Sequence, residues 1–495
     1  MIRFALPVSV LLLAVSLSAQ THHAGELRLE PYSFRTYDGA AHPAELGHLW
    51  VRENRRSGSE RLIEIAFVRL RTAAQKPRSP LVFLPGGPGI PGTVLGRVPV
   101  YFQLFEKIQA FSDVILADQR GIGVSSPNTE CPEGTPPSPD VLAKESSFRK
   151  AMTARAHACA DYWRGKGVDL TAYTTAESAD DLEDLRQAIG ADKLSLLAHS
   201  YGTALALAAI RRHGEHLDRV VLAGVEGPDE NLQLPLAFDF ALRRVSDMAA
   251  KSTKLQRAFP DTYGELQKVL TQLDREPLPV RIRNERTKQE VEVKVGPFPA
   301  QFAIKGMLPN GRQVGRVPAL VYSLAHRDPA LLSGAVQDLY NGLTSGFTAM
   351  QFAVACSDGW SSARRELALA QAPRSLFGDA PFVHLDAQIC EGVGASAAPD
   401  NSLLPVWSSV PALLVDGTLD SNTPIYQSEK VGWGLANAEF VTVENGFHET
   451  LPADEVQALV AQFLSGGQVG RRTVRFPAPE FVTVEQAKAS QQAAH

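Results

Sequence analysis

The feature that most limits how this chain can fold is an alternation of short apolar runs with helix-like segments. The runs that read as buried strands, each ending in glycine or polar residues, are 79–89, 113–121, 193–202, 218–228, 411–420 and 438–449. Helix-like segments follow four of these runs, at 97–110, 203–214, 424–435 and 453–467. Such alternation predicts an α/β fold with a mostly parallel, doubly wound sheet that carries helices on both faces.

A further helix is predicted over 178–190, directly before the run at 193–202. Ser178 is its expected N-cap, acidic residues fill its first turn, and Gly190 ends it.

The alternation is interrupted once, after residue 228. Helical segments such as 236–258 and 261–273 dominate there, with a two-stranded signal at 279–296. This pattern predicts a large, mainly helical cap that is inserted into the core. The predicted division of the mature chain is core residues 25–228, cap residues 229–404, core residues 405–467 and a C-terminal tail at 468–495.

The first 19 residues have the features of a secretory signal peptide. Arg3 supplies positive charge, an apolar run follows over residues 4–15, and Ser16, Ser18 and Ala19 are small residues near a cleavage site. An N-terminal membrane anchor is the alternative, although the run is short for a span of about 20 residues. We expect export to the periplasm or beyond, with no stable membrane insertion after the leader is removed.

The cysteines form an even set in a chain that is expected to reach an oxidising compartment: Cys131, Cys159, Cys356 and Cys390. Three pairings are possible, and the two nearest-neighbour bridges, Cys131–Cys159 and Cys356–Cys390, are the simplest. The alternative is that some of these residues are buried thiols.

Ser200 is a candidate nucleophile. It lies in the segment Ala198-His199-Ser200-Tyr201-Gly202, where an apolar strand meets a helix that is rich in small residues. Small residues two positions before and after the serine allow the sharp turn of a nucleophile elbow, which exposes the hydroxyl at the end of a sheet. The helix N-terminus that follows favours negative charge there. Taken alone, the motif also fits a polar residue that ends a strand.

A nucleophilic serine needs a base, and the base needs a carboxylate that orients it. Asp420 ends the run at 411–420, and His448 follows the next strand, so both are expected at the carboxyl edge of the sheet. Asp416 is a competing acid, but it lies inside the apolar run, further from the loop. For His448 the alternative is an ordinary histidine of a surface loop.

The glycine-rich loop at 86–89 is a candidate for oxyanion binding. It follows the run that begins at residue 79, and glycines let backbone rather than side chains face a substrate. The backbone N–H of Gly87, together with that of Tyr201, would form the oxyanion hole. The alternative is a generic turn between a strand and a helix.

Together, these segments resemble the prolyl iminopeptidase and tripeptidyl aminopeptidase group of serine α/β-hydrolases. The motifs that carry the resemblance span nearly the whole mature chain: GGPG at 86–89, DQRGIGVS at 118–125, HSYGT at 199–203, GTLDSNTP at 417–424 and GFHE at 446–449. The chain departs from the family at Ala198, where elbows of the group usually begin with glycine. The resemblance implies the α/β-hydrolase fold, with its cap inserted after the strand that follows the nucleophile helix.

The resemblance also implies hydrolysis at the N-terminal end of peptides, with cap or rim carboxylates that bind the free α-amine. The candidate carboxylates are Glu226, Asp229, Glu230, Asp358 and Glu391. Glu226 is preferred because it ends a core strand at the active edge, and a solvated loop acid is its alternative. Asp358 and Glu391 flank the possible Cys356–Cys390 bridge. Asp118 and Arg120 are expected to form a structural pair that shapes the oxyanion loop.

These observations predict an exported serine aminopeptidase that acts on peptides with a free N-terminus and needs no metal or organic cofactor. A small-molecule carboxylesterase of the same fold is the alternative, because the same residues cleave esters. A non-catalytic binding protein is a third possibility. The net charge of −5 gives no support for a nucleic-acid partner.

Overall fold

The computed structural model describes residues 22–252, 255–385, 387–395 and 401–492. The predicted signal peptide at 1–19 lies outside these residues. Within them, twelve β-strands occur: β1 Leu27–Arg35, β2 Ala41–Arg52, β3 Leu62–Leu70, β4 Leu81–Leu84, β5 Val114–Ala117, β6 Leu194–His199, β7 Leu217–Ala223, β8 Leu278–Arg283, β9 Glu290–Val295, β10 Ala412–Gly417, β11 Ala438–Glu444 and β12 Arg471–Arg475.

The same residues contain sixteen α-helices, which lie between and after these strands: α1 Gly92–Leu95, α2 Pro99–Gln109, α3 Glu145–Gly165, α4 Thr175–Ala188, α5 Tyr201–His213, α6 Pro235–Lys251, α7 Thr262–Arg275, α8 Pro297–Met307, α9 Val317–Ala325, α10 Ser333–Gly342, α11 Ala349–Asp358, α12 Ser362–Gln371, α13 Ala387–Val393, α14 Ile425–Gly432, α15 Asp454–Leu464 and α16 Val484–Gln492.

Ten of the strands form one sheet in the order β1-β2-β3-β5-β4-β6-β7-β10-β11-β12. The strands from β5 to β12 in this order pair in parallel, whereas β1, β2, β3 and β5 pair antiparallel. Because β6, β10 and β11 are parallel, their carboxyl ends share one edge of the sheet. This topology confirms the predicted mostly parallel sheet.

Helices cover both faces of the sheet. In β6, Leu196 and Ala198 belong to an apolar cluster with residues of α4 and α5, whereas Leu197 belongs to a cluster with residues of α2 and α15. All six residues of β6 are buried, which explains why the strand reads as a continuous apolar run rather than an alternating one.

A separate apolar cluster lies outside the sheet. It joins α3 to the antiparallel hairpin β8–β9, to helices α6 through α11 and to α13. Helix α3 was not among the predicted segments, and it precedes β6 in the chain although it packs with helices that follow β7. The predicted domain boundaries at residues 229 and 404 stay a prediction.

Helix α4 begins one turn before its predicted start. Its N-cap is Thr174, whose side chain accepts a hydrogen bond from the Glu177 N–H at 3.1 Å. Ser178 is buried inside the helix, so its assignment as N-cap is wrong. The sequence Thr174-x-x-Glu177 has the spacing of a capping box and was the better start signal.

The two disulfides are Cys131–Cys159 and Cys356–Cys390, which confirms the simplest predicted pairing. The first ties the loop before α3 to that helix, and the second joins α11 to α13. Across the described ranges, no helix combines the length and the apolar character that crossing a membrane would require.

Candidate active site

Ser200 lies in a sharp turn between β6 and α5. Its backbone has φ 56° and ψ −131°, a conformation that L-residues rarely adopt. The Ser200 N–H donates to the Ala223 carbonyl at 3.0 Å, and the Thr203 hydroxyl donates to the Ser200 carbonyl at 2.6 Å. These bonds fix a strained turn at the carboxyl edge of the sheet, as a nucleophile elbow requires.

Close backbone approach explains the small residues around this turn. A Cβ atom on Gly202 would lie 2.0 Å from the Leu84 carbonyl oxygen, so α5 can pass the end of β4 only with glycine there. A Cβ atom on Gly86 would lie 2.7 Å from Ser200 Cβ, which brings the glycine-rich loop against the serine. Ala198 differs from these glycines, because its position has room for a methyl group, which is fully buried in the apolar core.

Asp420 and His448 are in direct contact. His448 Nδ1 lies 2.8 Å from Asp420 Oδ2, and Asp420 also accepts from the N–H groups of Asn422 and Thr423 at 2.8 and 3.1 Å. The competing acid, Asp416, instead accepts from the Val225 N–H at 3.0 Å. Among the described residues Asp416 has no hydrogen bond to His448, so the geometry favours Asp420 as the orienting carboxylate.

The two side chains shift each other's pKa. Burial works to raise the pKa of Asp420, but the charge and hydrogen bond of His448 outweigh it and hold that pKa below its usual value. Burial works to lower the pKa of His448, but Asp420 outweighs it and raises that pKa. Since Nδ1 is engaged by Asp420, the other ring nitrogen, Nε2, is the one that can exchange a proton with a substrate or nucleophile.

The turn after β7 contacts both Ser200 and His448. A Cβ atom at Gly224 would lie 3.1 Å from His448 Cε1, and the carbonyl of the preceding residue, Ala223, accepts the hydrogen bond from the Ser200 N–H. No hydrogen bond joins Ser200 Oγ to His448 within the part of the chain that the structure describes. Such bonds are often long in a site without substrate. The structure thus brings Asp420 and His448 together and places Ser200 beside them at the same edge.

The predicted oxyanion donors lie on the two sides of Ser200. Gly87 has φ 120°, which glycine alone adopts readily, and its N–H donates no hydrogen bond within the described ranges. Tyr201 is the first residue of α5, so its N–H has no partner inside the helix. Both groups are therefore available to an oxygen that is bound next to Ser200.

The predicted pairing of Asp118 with Arg120 is wrong. Asp118 accepts from the Thr93 N–H and hydroxyl at 2.9 and 2.8 Å and from the Val124 N–H at 2.9 Å. Arg120 binds Asp181 at 2.8 and 2.6 Å. Neighbouring residues of a turn can point to different sides, and the sequence alone did not show this. Asp118 nevertheless supports the oxyanion loop, because Thr93 belongs to α1, which follows that loop.

Three of the candidate carboxylates border a cavity of about 530 Å³: Glu226, Asp229 and Asp358. Burial, and then the charge of Asp358, raise the pKa of Glu226 to about 7. Burial raises the pKa of Asp358 to about 7, although a hydrogen bond from the Thr175 hydroxyl at 2.7 Å opposes the shift. Neither carboxylate has a Lys, Arg or His partner within 4 Å among the described residues. Glu226 and Asp358, called the acid pair below, are thus two partly buried carboxylates with raised pKa values.

Asp229 and Glu230 are bound to partners within the protein, and Glu391 lies away from this cavity. Asp229 binds the N–H and the hydroxyl of Ser361, each at 2.6 Å. Glu230 is buried between Arg364 and Lys430, at 2.5 and 3.0 Å. Glu391 is exposed on α13 and does not line the cavity of the acid pair. A role for Glu391 stays a prediction.

Thr175 and Thr423 belong to the site but were not found from the sequence. The Thr423 hydroxyl donates to Asp420 Oδ2 at 2.7 Å and lies 3.1 Å from His448 Nδ1. Its position three residues after Asp420 was the available signal, since threonine at that spacing can bind a turn carboxylate. Thr175 lies 2.8 Å from the Tyr201 hydroxyl and links it to Asp358, and no local pattern indicates this role.

Comparison with known proteins identifies two matching family models, and both include residues of this site. A family model described as "alpha/beta hydrolase fold" matches residues 79–283, and a second, described as "TAP-like protein", matches residues 377–475. The chain is a hydrolase of the α/β-hydrolase fold with a TAP-like segment. Ser200 lies in the first matched segment of this hydrolase, and Asp420 and His448 lie in the second, the TAP-like one. The assignment agrees with the resemblance seen in the motifs.

Curated relatives of the hydrolase are distant. The putative hydrolase YuaR of Escherichia coli is 26% identical over 34% of this chain and 32% of that protein. The tripeptidyl aminopeptidase of Streptomyces coelicolor is 28% identical over 38% of this chain and 37% of that protein. The serine protease Hip1 of Mycobacterium tuberculosis is 28% identical over 33% and 32%, respectively. The matches thus span about a third of the length of each relative.

Proposed function

We propose that this hydrolase is an exported serine aminopeptidase that releases N-terminal residues or short peptides. Ser200 attacks the carbonyl carbon of the scissile bond while His448 accepts its proton, and Asp420 orients the imidazole. The N–H groups of Gly87 and Tyr201 stabilise the oxyanion. His448 then protonates the leaving amine, and water, activated by His448, hydrolyses the acyl-enzyme.

The acid pair is the observation that carries the aminopeptidase proposal. Glu226 and Asp358 are like charges, and each has a pKa near 7 chiefly because of burial, with the charge of His448 only partly opposing the shift of Glu226. An α-ammonium group bound between them would supply the missing charge and form charge-assisted hydrogen bonds. A neutral ester has no group of this kind, so the pair favours a peptide with a free N-terminus.

Two further observations support the proposal. Two of the similar proteins are a tripeptidyl aminopeptidase and a serine protease, and the two family matches cover Ser200, Asp420 and His448. Two disulfides agree with folding in an oxidising compartment, which supports export.

The test uses the mature protein and matched peptide p-nitroanilides of one to three residues, each with a free and with an acetylated N-terminus, beside p-nitrophenyl esters. We expect cleavage of free-amine anilides, at least tenfold faster than of the acetylated forms, and its loss in Ser200→Ala. Ser465→Ala, a change at the exposed end of α15, is the control. Cleavage of esters alone, or equal rates with and without acetylation, would reject the aminopeptidase in favour of an esterase.

A further inference from the structure

The first turn of helix α11 contacts the oxyanion loop through one side chain. Gln351 Nε2 donates to the Pro88 carbonyl at 3.1 Å. The stem of the same side chain packs on the next residue, since a Cβ atom built on Gly89 would lie 2.5 Å from Gln351 Cγ. Gly87 and Gly89 both have positive φ, so the loop has little conformational preference of its own and depends on such contacts.

The same glutamine also caps its own helix. Gln351 Oε1 accepts from the Thr348 N–H at 2.9 Å, and the Thr348 hydroxyl accepts from the Gln351 N–H at 3.2 Å, which completes a capping box. The amide therefore uses its oxygen for the helix and its nitrogen for the loop. These two functions depend on different atoms, so substitutions can separate them.

The start of α11 is held firmly. The N–H groups of Ala349 and Met350 donate to the carbonyl and hydroxyl of Thr129, at 2.8 and 3.1 Å. The Cys131 N–H donates to the Phe347 carbonyl at 2.8 Å, and Cys131 is bridged to Cys159 in α3. Gln351 thus extends from an anchored base, which is what a side chain needs if it is to position a glycine-rich loop.

We propose that Gln351 is a positioning residue for the oxyanion hole, which acts by fixing the Pro88 carbonyl and with it the Gly87 N–H. The proposal rests on the function proposed above for Ser200 and Gly87. Because α11 ends at Asp358, roughly 10 Å further along the helix axis, one helix holds the oxyanion loop at its first turn and presents half of the acid pair at its last. Gln351 touches no reacting atom, so its effect is expected in kcat and not in substrate affinity.

Three variants separate positioning from capping. Gln351→Met removes the donor to Pro88 without adding charge and also removes half of the capping box. Gln351→Glu removes the donor but keeps an acceptor for the Thr348 N–H. Thr348→Ala removes the other half of the capping box and leaves the donor to Pro88 in place. For each we would measure kcat and KM on the best free-amine anilide, together with Tm.

We expect both Gln351 variants to lower kcat about tenfold, because small displacements of an oxyanion donor are costly, with KM changed less than twofold. Thr348→Ala should lower Tm yet keep kcat within twofold of the wild-type value. The proposal is overturned if Gln351→Met keeps the full kcat of the wild-type protein. It is also overturned if Thr348→Ala lowers kcat as much as Gln351→Met does. A wild-type protein without Ser200-dependent hydrolysis would instead reject the proposed function itself.

Discussion

Two pairs of side chains at this site have opposite electrostatics: Asp420 and His448 are buried, whereas Glu226 and Asp358 are partly buried. In the Asp420–His448 pair an acid faces a base at 2.8 Å, and the contact lowers the pKa of Asp420 and raises that of His448. In the Glu226–Asp358 pair an acid faces an acid, and burial together with repulsion raises the pKa of Glu226 to about 7.

In the proposed function, the difference separates a charge that the protein supplies from one that the substrate amine would supply. Asp420 has its cation inside the protein whenever His448 is protonated, so this pair is complete and suited to moving a proton. Glu226 and Asp358 have no Lys, Arg or His partner within 4 Å among the described residues, and the charge of His448 lowers the pKa of Glu226 only in part. Perturbed, unpaired carboxylates of this kind are typical of binding sites.

The largest expected effect concerns the complete pair. Asp420→Asn removes the carboxylate that orients His448 and should lower kcat/KM about 10⁴-fold. Asp416→Asn, which keeps an acceptor for the Val225 N–H, should stay within threefold of the wild-type value. Steady-state kinetics of the two variants on one anilide make the comparison. A larger loss of kcat/KM in Asp416→Asn than in Asp420→Asn would show that Asp416, and not Asp420, is the catalytic acid.

The next largest effect concerns the acid pair. Glu226→Gln or Asp358→Asn should lower kcat/KM for free-amine anilides about 100-fold, mainly through KM, because a charged hydrogen-bonding partner is lost. Rates on acetylated anilides should hardly change. Asp229→Asn is the matched control, since Asp229 lines the same cavity but its oxygens are bound to Ser361. Equal losses on both kinds of substrate would make the pair structural.

The pH dependence gives a third, smaller contrast. Below pH 7 the acid pair takes up a proton and attracts an ammonium less, whereas above about pH 8 the peptide amine itself loses its charge. The ratio of kcat/KM for free and acetylated anilides cancels the titration of His448. This ratio should peak between about pH 7 and 8 and fall up to about tenfold from pH 7 to pH 6. A flat ratio would contradict the role of the pair.

The smallest effect concerns the departure from the family motif. Ala198→Gly restores glycine at the first position of the elbow, but it removes a buried methyl group and adds backbone freedom. We expect kcat/KM within threefold of the wild-type value and a stability loss of about 1 kcal/mol, measured by kinetics and by urea unfolding. A rate gain of tenfold or more would show that the Ala198 methyl group hinders the elbow.

The parts of the site that belong to the sheet were predictable from the sequence. Ser200, Asp420 and His448 each follow an apolar strand, and parallel strands end at one edge, so their convergence follows from the alternation of elements. Glu226 was accessible by the same reasoning, because it follows β7. Asp358 was found only as a neighbour of a possible disulfide, and nothing local to α11 showed that it would lie near Glu226.

What the sequence did not show depends on contacts between distant segments. Gln351 reads as an ordinary residue of a helix start, and only the folded chain places its amide on Pro88. Arg120 pairs with Asp181, in α4, and not with its near neighbour Asp118. Helix α3 has weakly patterned apolar residues, and its burial depends on helices that follow much later in the chain.

The most direct test of the central claim is the affinity of the Ser200→Ala protein for one peptide, with a free and with an acetylated N-terminus, by calorimetry at pH 7.5. The inactive protein separates binding by Glu226 and Asp358 from the chemistry of His448. We expect the free peptide to bind at least tenfold more tightly than the acetylated one. Equal affinities would contradict the claim that the acid pair holds the substrate amine.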